Sequence, residues 1–169
     1  MDPAGWRITE VVFSPDGKYL ALAAVQQSSD GQNDVQINIV ELDTGSSQEL
    51  SHPVVTGSLS DANLWMGPSD ELVVQYNIFE YDDRLAMSFE KPVVRRYSWE
   101  GQVLGEYPVL GRAHHLSQDR RLLISTQDLD RLAGAAVLTD VTSGEPIPRV
   151  VNARSGSMTT DSPVLVVMG

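Results

Sequence analysis

The chain has 169 residues, 41% of them hydrophobic, and 12 Lys+Arg against 23 Asp+Glu give it a formal net charge of -11. A chain of this size buries about 70% of the surface its unfolded form exposes, so one folded domain with a real core is expected, not a disordered segment. The acidic balance disfavours phosphate backbones and anionic membranes as partners, and the absence of cysteine excludes disulfides, thiolate catalysis and cysteine-ligated zinc together.

The opening residues, MDPAGWRITE, contain neither a basic stretch nor an apolar one. No window approaches about 18 uninterrupted apolar residues, so neither a signal peptide nor a membrane span is expected. The compartment is left open.

The first predicted elements are strands over Ile8 to Ser14 and Tyr19 to Val25, rich in β-branched, aromatic and aliphatic residues. Between them Pro15, Asp16 and Gly17 supply a hairpin loop: Pro presets φ, Asp bonds its own backbone, and Gly takes φ > 0 without steric cost. A polar loop, Gln26 to Asp34, leads to a period-two strand over Val35 to Leu42, the turn Asp43 to Ser46, and a short strand over Gln48 to His52. This first unit covers about 8–52.

The same order recurs in a second unit over about 62–109. Its strands are Ala62 to Gly67, Leu72 to Phe79, Val93 to Trp99 and, after the turn Glu100-Gly101, Gln102 to Val109. A third unit over about 113–152 has strands at Ala113 to Ser117, Leu122 to Gln127, Ala135 to Val141 and, after the turn Thr142 to Glu145, Ile147 to Asn152. Met158 to Gly169 then looks like the opening hairpin of a fourth unit, giving a partial repeat over 158–169. No long stretch shows a helical i, i+3, i+4, i+7 stripe.

Four short antiparallel strands per repeat is the plan of a β-propeller blade, which stacks on its neighbours because it cannot bury its faces alone. The expected fold is therefore all-β: a single domain, 1–169, of three four-stranded antiparallel blades plus a partial fourth. Closed propellers use at least about four blades, so the chain is expected to belong to a larger propeller or to form a homo-oligomer through its open blade edges. A Greek-key sandwich is the competing architecture, although it has no reason to repeat its turn chemistry.

The run Ser14, Pro15, Asp16, Gly17, Lys18, Leu20 and Ala21, with Phe13 before it and Asp43 and Gly45 in the second turn, resembles the TolB-type, WD40-like propeller repeat. Pro68 and Asp70 in the second unit, and Ser117, Asp119 and Gly144 in the third, extend the likeness. The resemblance implies a propeller fold far more strongly than it implies a function.

No metalloprotease, P-loop, dinucleotide or nucleophile-elbow pattern is present, and His52, His114 and His115 are the three histidines. Adjacent strand residues point to opposite faces, so His114 and His115 are not expected to share a metal. No catalytic residue and no cofactor is assigned. Asp30, Asn33 and Asp34 offer hard oxygen ligands suited to calcium, but without EF-hand spacing; a solvated hairpin loop is the simpler account. Arg95-Arg96 and Arg120-Arg121 read as strand or turn residues facing solvent. Trp6, Trp65 and Trp99 read as core between blades.

The longest connection, Glu80 to Pro92, is expected to be a loop, and Tyr81, Leu85, Met87 and Phe89 give it unusual apolar content. It either packs on the blade or binds something. The expected function is a non-catalytic module that binds a protein or peptide through loops over Gln26 to Asp34, Pro53 to Asp61, Glu80 to Pro92 and Leu129 to Gly134. Tyr81, Asp82 and Phe89 are the expected partner-binding residues, since aromatic anchors dominate such contacts. The alternatives are the propeller portion of a prolyl-oligopeptidase-like hydrolase and a ligand- or metal-binding propeller.

Overall fold

Strands alone form the regular structure of residues 5–27, 33–53, 58–82, 87–127, 135–152, 155–158 and 165–168, which the computed structural model describes. The first sheet runs β1 (Arg7–Phe13), β2 (Tyr19–Gln27), β3 (Asn33–Glu41) and β4 (Ser47–Glu49), in that spatial order. The second comprises β5 (Ser58–Met66), β6 (Leu72–Asp82), β7 (Met87–Glu90), β8 (Val93–Tyr97) and β9 (Val103–Pro108), ordered β5-β6-β8-β9 with β7 also paired to β6. The third is β10 (Arg112–Leu116), β11 (Leu122–Gln127), β12 (Ala135–Asp140) and β13 (Pro146–Asn152), again in sequence order. A two-stranded sheet, β14 (Ser155–Met158) and β15 (Leu165–Met168), follows. The fold is all-β, and its three sheets share a four-stranded antiparallel plan consistent with propeller-like blades.

The chain forms two compact units, Met1–Tyr107 and Pro108–Gly169. In the first unit, period-two alternation on β3 buries Val35, Ile37 and Ile39 between less buried polar neighbours. These residues join Ala21, Ala23 and Val25 from β2 in one cluster with Leu64, Leu72, Val74, Tyr76 and Ile78 of the second sheet, so the two sheets stack face to face. Removing this apolar surface from water is the main stabilising term, about 1.5–3 kcal/mol for each large aliphatic side chain. Every residue of β6 from Leu72 to Ile78 is buried. On the other face of the first sheet the edge strand β1 is exposed: Ile8, Val11 and Phe13 are 61%, 48% and 56% exposed.

The hairpin turns have a common chemistry. Ser14 Oγ donates to Asp16 Oδ1 at 2.7 Å and accepts from the Tyr19 N–H at 2.9 Å, while the Lys18 N–H donates to Asp16 Oδ1 at 3.1 Å. The third sheet repeats this bond for bond: Ser117 Oγ to Asp119 Oδ1 at 2.6 Å, Leu122 N–H to Ser117 Oγ at 2.9 Å, and Arg121 N–H to Asp119 Oδ1 at 3.2 Å. These bonds satisfy main-chain donors that the turn withdraws from the ladder, and the serine hydroxyls hold Asp16 and Asp119 below the usual carboxylate range. The second turn of each sheet closes on a glycine in the left-handed region, Gly45 at φ 70°, Gly101 at 81° and Gly144 at 74°.

Strand limits shift by a few residues from those expected, and one element was not expected at all. Glu80 to Pro92 is not a free loop: β6 continues to Asp82, and β7 returns against it with Glu80 opposite Phe89 and Tyr81 opposite Ser88. The first strand of each of the three larger sheets also carries a bulge, at Thr9, Ser60 and His114. Two of these are marked by hydroxyls that bond the strand opposite, Thr9 Oγ1 to the Ala23 carbonyl at 3.3 Å and Ser60 Oγ to that of Asn77 at 3.2 Å. At His114 the bulge interrupts the strict alternation assumed for His114 and His115.

Candidate binding site

The second sheet departs from the repeat in three places, and the third of them carries the candidate site. At its first hairpin the serine is replaced by Gly67, and the carboxylate of Glu71 occupies the vacated space: a Cβ on Gly67 would lie 2.6 Å from the Glu71 carboxyl carbon. Glu71 Oε2 accepts from the Ser69 N–H at 2.7 Å, a different main-chain donor from the Lys18 N–H that Asp16 serves, and Oε1 faces Arg96 Nη1 at 3.4 Å. Asp70 takes the left-handed conformation that Gly17 takes in the first sheet, at φ 59°, and its carbonyl accepts from Trp99 Nε1. Trp99, 9% exposed, stacks on Tyr19 at 6.3 Å, as expected of a core tryptophan.

The second departure pins the crossover between the two sheets. Tyr97 OH donates to the Ser51 carbonyl at 2.7 Å and lies 2.7 Å from Tyr76 OH, while Arg95 Nη1 donates to the same carbonyl at 2.8 Å. Arg95 is held in turn by an ion pair with Glu106. Arg95 and Arg96 are therefore largely buried and ion-paired, correcting their assignment to solvent. Burial pushes the Tyr76 and Tyr97 phenols up, so both stay protonated and keep their hydrogen bonds. Half-buried His52 packs edge-on against Tyr76 at 5.6 Å, and burial holds its pKa below the ordinary imidazole value.

The third departure is the β6–β7 ribbon. β6 has 11 residues where β2 has 9 and β11 has 6, and the extra length pairs with a strand the other two four-stranded sheets lack. Tyr81 and Asp82 lie at the end of β6 and Phe89 on β7, so pairing gathers the three expected partner-binding residues onto one two-stranded element.

The calcium candidates are distributed differently. Asp30 lies outside the described residues; Asn33 opens β3, donating its amide to the Ser60 carbonyl at 2.9 Å, and Asp34 pairs with Gln26 across the hairpin. Among the described residues no three His, Cys, Asp or Glu side chains gather into a metal-binding group. Polar groups that the sequence did not single out also line the second sheet: Gln75 and Asn77 are fully buried, and Asn77 Nδ2 donates to Asp61. No protein-family model matches the chain, and no curated protein is significantly similar to it.

Proposed function

We propose that the chain is a non-catalytic recognition module of propeller-type blades, related in kind to TolB and WD40-like repeats, that binds a protein or peptide through the ribbon bearing Tyr81, Asp82 and Phe89. The observation that carries this is the fifth strand of the second sheet. The four-stranded plan is complete without β7 in the first and third sheets, so the ribbon adds nothing that the blade itself requires. Extra structure grafted on a repeated scaffold is where binding residues concentrate.

The polar groups best placed for chemistry already have structural work: Glu71 holds a turn, and Arg95 and Tyr97 hold a crossover carbonyl. The test is partner capture by the intact chain against a Tyr81→Ala/Phe89→Ala variant. Capture is expected to fall at least about tenfold with the melting temperature unchanged. A large drop in melting temperature with capture retained would make the ribbon a packing element and sink the proposal.

A further inference from the structure

The ribbon's main chain has a polarity of its own. The Lys91 N–H donates to the Ile78 carbonyl at 2.8 Å, in the same register as the pairs Phe79 with Glu90, Glu80 with Phe89, Tyr81 with Ser88 and Asp82 with Met87. Opposed residues in an antiparallel pair alternate between exchanging main-chain hydrogen bonds and exchanging none. Ile78 and Lys91 being a bonded pair, Glu80 with Phe89 and Asp82 with Met87 are bonded as well, while Phe79 with Glu90 and Tyr81 with Ser88 are not. The N–H and C=O groups of Ser88 and Glu90 consequently point away from β6, along the outer edge of β7. That side of the sheet is covered by β9 only alongside β8, since β9 ends at Pro108, and among the described residues no strand pairs with the outer edge of β7.

We propose that this edge is a β-augmentation site, and that its occupant is an extended, lysine- or arginine-rich segment of a partner protein, added as a further antiparallel strand alongside Met87–Glu90. The inference rests on the recognition function proposed above and names its partner chemistry. Main-chain bonds to Ser88 and Glu90 supply sequence-tolerant attachment. Charge supplies the selection: among the described residues, β6 past Ile78, β7 and the next residue carry Glu80, Asp82 and Glu90 against Lys91, in a chain of net charge -11. A basic strand complements that ribbon, whereas a second copy of this chain would bring like charge to the same edge.

The decisive probe is a labelled acetyl-Lys-Val-Lys-Val-Lys-Val-amide peptide titrated against the intact chain at low salt by fluorescence anisotropy. Binding is expected for this peptide and not for its glutamate counterpart, to weaken between about 50 and 300 mM salt, and to be lost when alternate peptide nitrogens are methylated. Ser88→Pro removes an outward donor while leaving the bonds to β6, a substitution edge strands tolerate, and is expected to weaken binding about tenfold with an unchanged circular dichroism spectrum. Should Ser88→Pro fail to fold, the methylated peptide still decides on the unmodified chain.

Equal affinity for methylated and unmethylated peptides, or no binding of the basic peptide, would overturn the inference. So would a dimer that Ser88→Pro dissolves, because the edge would then belong to a second copy. If Tyr81→Ala/Phe89→Ala abolishes capture of a partner while peptide methylation and Ser88→Pro change nothing, the ribbon recognises through side chains; the recognition function then stands and augmentation alone fails.

Discussion

Gly17 and Arg120 hold equivalent places in two turns of the same chemistry, at φ 70° and 61°. Nothing lies within 4 Å of where a Cβ on Gly17 would sit, so the cost of a side chain there is conformational, not steric. Gly17→Ala and Gly45→Ala are each expected to lose about 1 kcal/mol of stability, measured by urea unfolding. Arg120→Gly is expected to raise the midpoint, since it relieves the left-handed cost that Arg120 bears; a fall would mean that side-chain contacts of Arg120 outweigh it. His52 makes a different prediction. Burial lowers its folded pKa, Glu49 opposes that shift and Arg95 reinforces it, so the unfolded chain binds the proton more readily than the folded one. Its contribution to stability is full above the ordinary value of 6.5 and is lost as pH falls from there through the depressed folded value. A His52→Gln variant is expected to melt with a flatter pH profile across that window; parallel profiles for the two proteins would exclude His52 as the source.

Among the elements, the first hairpin of the second sheet is the one whose stability depends most on a single side chain. Glu71, 4% exposed, is the acceptor for the Ser69 N–H and the neighbour of Arg96, whose Nε is buried with no partner among the described residues. Glu71→Gln is expected to cost about 1–3 kcal/mol, because it leaves a partly buried cation without its counter-charge. An unchanged denaturation midpoint would show that the turn holds without it. The same hairpin shows where legibility in the sequence ends. Ser-Pro-Asp-Gly-Lys was readable because each residue has a local preference that the turn satisfies, and Ser117 with Asp119 repeats it. Gly-Pro-Ser-Asp-Glu was readable as a turn, but its bonding was not, because Glu71 replaces the Ser–Asp pair by reaching back from the other side of the turn and toward Arg96, a contact separated by 25 positions. β7 escaped for a related reason: Met87 to Glu90 is short and followed by Pro92, and only its pairing with β6 makes it a strand. The bulges at Thr9 and Ser60 left no pattern beyond a hydroxyl, and a hydroxyl in a strand has many uses. Tyr81, Leu85, Met87 and Phe89 stand out in the sequence as apolar content, while the edge that the ribbon creates does not, since register is set across strands and not along them.

At the scale of the whole chain, the exposed apolar residues of β1 are expected to set the behaviour in solution. Ile8, Val11 and Phe13 form an apolar surface on a molecule of net charge -11, so attraction between faces is opposed by repulsion between chains. Self-association is expected to strengthen with salt, as screening removes the repulsion and leaves apolar contact intact. Light scattering is expected to show a concentration-dependent species that Phe13→Lys and Val11→Lys reduce; a monodisperse monomer at high salt and high concentration would rule this out. The proposed capture of a basic peptide is expected to have the opposite salt dependence, which would separate the two processes in one titration. In the second sheet a single unbroken strand, β6, runs from the buried stretch Leu72 to Ile78 out to Asp82 on the ribbon. The proposed recognition edge is therefore continuous, through β6, with a stretch of its unit that is buried from Leu72 to Ile78. Association should then be a one-step encounter, with an observed rate that rises linearly with peptide concentration and no plateau from a slow rearrangement.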